Sequence, residues 1–234
     1  MRSLHQEIFR WVAMSKRDLT LVELACVVRF SLGGYETGEQ TDTQGILNLL
    51  KTCGALLQVV TKPNAPELST VLIVHETFKY FIRNHWQDYF EKGKVWNGDL
   101  DSAKACLAYL GLEVFSKPCS TNTELQERLE KYPLSNYAAN YWILHTRDVQ
   151  SEVQDEVLNT FQSHKKRQSM YQMRTREKPR IDRIDPVPPL TELEIGLSLL
   201  HILCENGLII VCDAFIKQGF DYDDLYVFTL QSTD

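Results

Sequence analysis

The residues with the most distinctive chemistry lie in one short run, Val74-His75-Glu76-Thr77-Phe78-Lys79. His-Glu opens the zinc-protease pattern H-E-x-x-H, in which two histidines one helical turn apart hold the metal and the glutamate acts as base. Position 79 is lysine, so the second ligand is missing and that chemistry is excluded. His5, His85, His145, His164 and His201 show no mutual metal-ligand spacing, and neither a metal nor any other cofactor is expected. No G-x-S-x-G nucleophile elbow occurs. The six cysteines, at 26, 53, 106, 119, 204 and 212, form no C-x-x-C and sit in apolar helical patterns. They read as reduced thiols of a cytosolic protein rather than as nucleophiles. Asp223-Asp224 reads as a surface-like carboxylate pair without the sequence signature of an apolar pocket. Gly33-Gly34 and Gly38 are followed by no Gly-Lys, so the chain has no phosphate-cradling P-loop of its own. The reading is a non-catalytic protein with no small-molecule substrate.

The elements that carry these residues follow from hydrophobic spacing. Ile8, Phe9, Val12 and Ala13 repeat at helical intervals, and Lys16-Arg17-Asp18-Leu19 breaks the pattern. Thr20 and Glu23 restart it as a capping box, the hydroxyl meeting an orphan N–H while the carboxylate reaches back to the cap. Two short helices on a tight turn resemble a helix-turn-helix. A third helix follows over "GILNLLKTCG", with Ile46, Leu47, Leu49 and Leu50 apolar. Residues 55–60 and 69–76 flank "TKPNAPEL", whose prolines and Asn64 mark a turn, and together predict a β-hairpin. Helical spacing returns through Phe78, Phe81 and Ile82. The expected fold is mainly α: a winged helix with a small hairpin over 1–92, a helical spacer over 93–160, a basic and proline-rich linker over 161–190, and an ankyrin-like helix pair over 191–234.

Within the spacer, "DLDSAKACLAYLGLEVF" predicts one helix, and "TNTELQERLEKY" another opened by a Thr123–Gln126 capping box. A third carries Tyr137, Ala138, Tyr141, Trp142 and Leu144 on a buried side, with Pro133 suited to its first turn.

Net charge is −6, which opposes general attraction to nucleic-acid phosphates. The basic charge is local: residues 164–183 hold eight Lys/Arg against two acids, leaving 17 against 29 elsewhere. That strip reads as a solvated helix end and linker; the sharper alternatives are docking to an acidic partner and a weak nuclear-import signal, for which "KKR" alone is too common a motif. No stretch is apolar enough to span a bilayer, and Arg2, His5, Glu7 and Arg10 exclude a secretory signal core; no membrane association and a cytoplasmic location are expected.

Ser198 to Asp224 resembles an ankyrin repeat. Ser198-Leu199-Leu200-His201 stands for its Thr-Pro-Leu-His start, Glu205-Asn206-Gly207 for its inter-helix turn, and Gly219-Phe220-Asp221 for its Gly-Ala-Asp ending. Ile209, Val211, Phe215 and Ile216 are expected to pack its second helix. Leu199 for proline and bulky Leu203 and Cys204 for alanines suggest an end repeat. About three such units are needed to bury a core, so this one either packs on the preceding segment or belongs to a longer array.

Taken in order, "FRWVAMSKRDLTLVELACVV", "LLKTCGALLQVV", "VLIVHETFKYFI", "YPLSNYAANYWILHTR" and the ankyrin-like unit resemble the fungal NACHT–ankyrin proteins, relatives of nucleotide-switched immune receptors. The first part resembles their winged-helix module, named after GPI inositol-deacylase but carrying none of that chemistry. The resemblance implies signalling through protein partners, among them a NACHT ATPase module of the kind that precedes this region in the family. It also implies that Val74-His75-Glu76 stands for the Met-His-Asp motif, whose histidine contacts the nucleotide phosphate on the neighbouring ATPase. For His201 it implies a structural bond to backbone in a neighbouring repeat. The alternative is a winged-helix regulator that binds nucleic acid. Its third helix offers only Lys51 with Gln44 and Asn48, a poor groove-reading set, so nucleic-acid binding is not favoured.

Overall fold

Ser3 and Gln6 exchange side-chain and backbone hydrogen bonds and so start α1 (Leu4–Met14). The computed structural model describes residues 3–33, 43–90, 97–174 and 199–219, without the side chains of 67 and 86–90. The chain forms two compact units, Met1–Ala105 with Lys131–Leu134, and Cys106–Glu130 with Ser135–Asp234. The described residues are mainly helical, with one small antiparallel sheet.

In the first unit α1 is followed by β1 (Leu19–Thr20), α2 (Leu21–Ser31), α3 (Thr43–Thr52), β2 (Leu57–Val60), β3 (Thr70–Ile73) and α4 (Glu76–Phe90). The Thr20–Glu23 box forms as the sequence predicts. Glu23 N–H donates to Thr20 Oγ1 at 3.2 Å, and Thr20 N–H donates to Glu23 Oε2 at 2.8 Å. Thr20→Ala is expected to cost about 1 kcal/mol in chemical denaturation, and Thr20→Ser to cost clearly less because it keeps the acceptor. An unchanged midpoint for the alanine variant would show that the cap contributes nothing here.

The sheet order is β1-β3-β2, with Leu19 opposite Val71 and Leu57 opposite Ile73. The hairpin strands are shorter than the apolar runs suggest. Gly54–Leu56 is instead a 3₁₀ turn entered through Gly54 at φ +62°, a left-handed conformation that favours glycine. β1 has no counterpart in the hydrophobic pattern, because its two residues are also the entry to α2. The core gathers Ile8, Trp11, Leu19, Leu24, Val27, Val28 and Val71. α4 docks on α1 through Ile82 against Ala13, with Phe9 and Phe78 edge-to-face at 5.5 Å.

α5 (Gly98–Leu110), begun in the first unit, ends at Leu110 in the second, and the expected continuation to Phe115 is a separate 3₁₀ turn over Glu113–Phe115. α6 (Asn122–Lys131) is capped two residues earlier than expected: Glu124 N–H donates to Thr121 Oγ1, not to Thr123. α7 (Leu134–Thr146) buries Tyr137, Ala138 and Trp142 as expected, and also Ile143 and His145, so it is enclosed on more than one face. Tyr141 and Leu144 are half-buried.

α8 (Gln150–Phe161) is followed by α9 (His164–Arg174), the stretch read from its charges as the start of a linker. The reason for this difference is a buried face that charge counting overlooks: Arg167, Met170 and Met173 recur every three residues and all are buried. Arg167 Nη1 donates to the Phe161 carbonyl at 2.9 Å and so caps the end of α8. Gln172 clasps the backbone of Cys119 in both directions, at 2.7 and 3.0 Å. α10 (Leu199–Glu205) and α11 (Ile209–Lys217) complete the described chain, with α11 packed on α8 and α10.

Candidate functional site

His75 lies between β3 and α4, outside both. β3 leaves the sheet at Ile73, and Val74 N–H still reaches back to the Leu56 carbonyl at 3.1 Å. The His75 carbonyl then accepts from Phe78 and Lys79 N–H at 2.9 and 3.2 Å, closing the first turn of α4. Its imidazole is exposed and has no side-chain partner among the described residues.

Lys79 and Arg83 follow His75 by four and eight residues and lie one turn apart on α4. Sequence reading singled out His75 alone, although the i, i+4, i+8 spacing in "HETFKYFIR" was available. Lys79 and Arg83 line a groove of about 560 Å³ with Met14, Ser15, Lys16 and Asp99. Arg83 Nε donates to the Ala13 carbonyl at 2.8 Å, which fixes its position beside the end of α1. Lys16 Nζ is bound to Asp99 Oδ1 at 2.8 Å, whereas Lys79 has no ion-pair partner among the described residues. The groove therefore carries net positive charge and can hold an oxyanion by hydrogen bonding and Coulomb attraction.

Lys16 and Arg17 stand in the bend between α1 and β1. Within the first unit both cations are engaged, Lys16 as above and Arg17 by two bonds of 2.8 and 2.7 Å to Glu23. Glu23 thus serves the capping box and a bidentate ion pair together. Such an ion pair positions the turn through fixed geometry more than through energy.

The ankyrin-like positions lie in the second unit. Leu200 is half-buried and His201 exposed on α10. Gly207 has φ +73°, with Gly207 N–H donating to Cys204 O at 3.0 Å and Leu208 N–H to Leu203 O at 2.9 Å. This pair of bonds is a Schellman ending for α10. Gly219 repeats the left-handed conformation at φ +73°, after α11. Asp221 lies outside the described residues. Val211 and Phe215 are buried as expected, but Ile209 is 74% and Ile216 43% exposed. They fall on the face of α11 opposite the one that packs, because nine residues of helix can turn only one stripe toward α8 and α10.

α3 exposes Gln44, Asn48 and Lys51. Gln44 Nε2 donates to Asn48 Oδ1 at 3.2 Å, so each amide already uses one of its groups on the other. No helix among the described residues is long and apolar enough to cross a membrane. The chain matches no known protein family, no curated protein and no solved structure.

Proposed function

We propose that the chain is a non-catalytic regulatory and protein-interaction module of the NACHT–ankyrin type, acting in the cytoplasm. In this reading a winged helix couples a nucleotide switch to an ankyrin recognition array. The observation that carries it is the exposed His75 at the β3–α4 junction, heading a strip that continues through Lys79 and Arg83. Imidazole, ammonium and guanidinium groups donate hydrogen bonds to phosphate oxygens, and here the imidazole immediately precedes the helix that carries Lys79 and Arg83. The order helix, strand, helix, helix and hairpin, with the first strand against the second hairpin strand, supports the winged-helix reading. The Gly207 turn between α10 and α11 supports the ankyrin-like one.

The proposed partners are proteins, among them a NACHT ATPase module presenting bound ADP to His75. The coupling works only through differential affinity: the partner's resting state must bind this surface better than its active state does. Mixing the chain with an ADP-loaded NACHT ATPase module is expected to slow ADP release. His75→Ala is expected to speed release roughly 10- to 100-fold, the worth of a hydrogen bond to a charged group. Equal ADP retention with and without the imidazole would sink this role. The paired amides and single cation of α3 speak against the nucleic-acid alternative. A steeply salt-dependent, sub-micromolar duplex affinity would reinstate it.

A further inference from the structure

We propose that Cys204 and Cys212 form a reversible oxidation site, at which the two thiols close into a disulfide across the Gly207 turn. Their sulfurs are 3.5 Å apart, with Cys204 exposed at the end of α10 and Cys212 buried in α11. A disulfide needs an S–S separation of about 2.05 Å, so an approach of roughly 1.5 Å suffices, within the reach of side-chain rotation. The turn between them is already held in place. Besides its Schellman bonds, the Gly207 carbonyl accepts from Gln150 Nε2 at 3.2 Å, and Ile210 N–H donates to Gln150 Oε1 at 3.0 Å. The two sulfurs are thus presented to each other by fixed backbone.

The asymmetry in exposure orders the steps. A peroxide reaches Cys204 first; its thiolate sulfur attacks the peroxide oxygen, giving a sulfenic acid and releasing water. The Cys212 sulfur then attacks the Cys204 sulfur, and the sulfenic hydroxyl leaves as a second water with the proton from Cys212. Two thiols are oxidised by two electrons, and one hydrogen peroxide is reduced to two waters. Burial first, then the hydrogen bond and charge of Cys204, push the Cys212 thiol up to about 12. It is therefore a poor first nucleophile, which leaves that part to Cys204. Cys53, Cys106 and Cys119 are buried and shielded from the oxidant.

The test uses the full, fully reduced chain treated with hydrogen peroxide, followed by alkylation with N-ethylmaleimide under denaturing conditions and peptide mapping. Two of the six thiols should become unreactive, the cross-link should map within 199–219, and dithiothreitol should restore both. Cys204→Ser, an exposed change, should leave Cys212 alkylatable after peroxide. Cys212→Ala, with helicity checked by circular dichroism, should let Cys204 pass to sulfinic acid that dithiothreitol does not recover. The proposal is overturned if wild-type Cys204 overoxidises as fast as in Cys212→Ala. It is equally overturned if the cross-link joins Cys204 to another cysteine or to a second chain.

Discussion

Glu7→Ala is expected to destabilise the first unit by about 3–5 kcal/mol, the cost of leaving a buried charge without its partner. Glu7 and Arg10 form an ion pair one turn apart on α1, and both side chains are only 2% exposed. Arg10 Nε donates to Glu7 Oε2 at 3.1 Å, and Nη2 donates to the same oxygen. The guanidinium is held further by the Trp11 ring, at 5.0 Å from its centroid. Its Nη1 has no hydrogen-bond partner among the described residues and lies 4.0 Å from Asp101 Oδ2. Asp101 can offset only part of the loss, since its side chain is 32% exposed and the separation exceeds hydrogen-bond length. The measurement is urea denaturation, with labelling of buried Cys53 as a local reporter. Glu7→Leu combined with Arg10→Met should recover most of the stability, because removing both charges leaves no desolvated ion. A single-variant loss below about 1 kcal/mol would show that water or Asp101 compensates the guanidinium.

The second large effect is expected from Trp142→Ala, about 3–5 kcal/mol through lost burial and the cavity left behind. Trp142 is 1% exposed on α7, and its ring meets that of Phe161 from α8 with centroids 4.8 Å apart. Phe161 also supplies the carbonyl to which Arg167 donates, so the cavity would open beside the contact that joins α8 to α9. Thiol labelling of Cys119, 3% exposed and bound to Gln172 on α9, should accelerate along with the fall in stability. Trp142→Phe, which keeps an aromatic ring, should lose substantially less. Equal stability for the alanine and wild-type chains would show that the site collapses without a cavity.

These particulars show how much of the molecule could be read from residue order. Helices with a clear apolar period and a local cap were legible: α2 starts where Thr20 and Glu23 say it must, and the Gly207 turn adopts the positive φ its residue type allows. Such features depend on residues three or four apart, so local sequence is enough. Position 79 alone was enough to exclude a zinc-protease motif. What was not legible depended on partners distant in the chain. β1 is a strand only because Val71 lies beside Leu19, and its two residues carry no period. The Thr121 cap displaced Thr123 because Glu124 also reaches Ser120 N–H, a choice between two plausible hydroxyls. α9 is a helix with a buried face because Cys119 waits for Gln172 53 positions away, while the eye follows its lysines. The groove lined by Lys79 and Arg83 and the Cys204–Cys212 pair belong to the same class. Sequence determined which residues could donate, cap or oxidise. The tertiary structure decided which of them meet, because contacts between distant segments follow from packing, which no local period records.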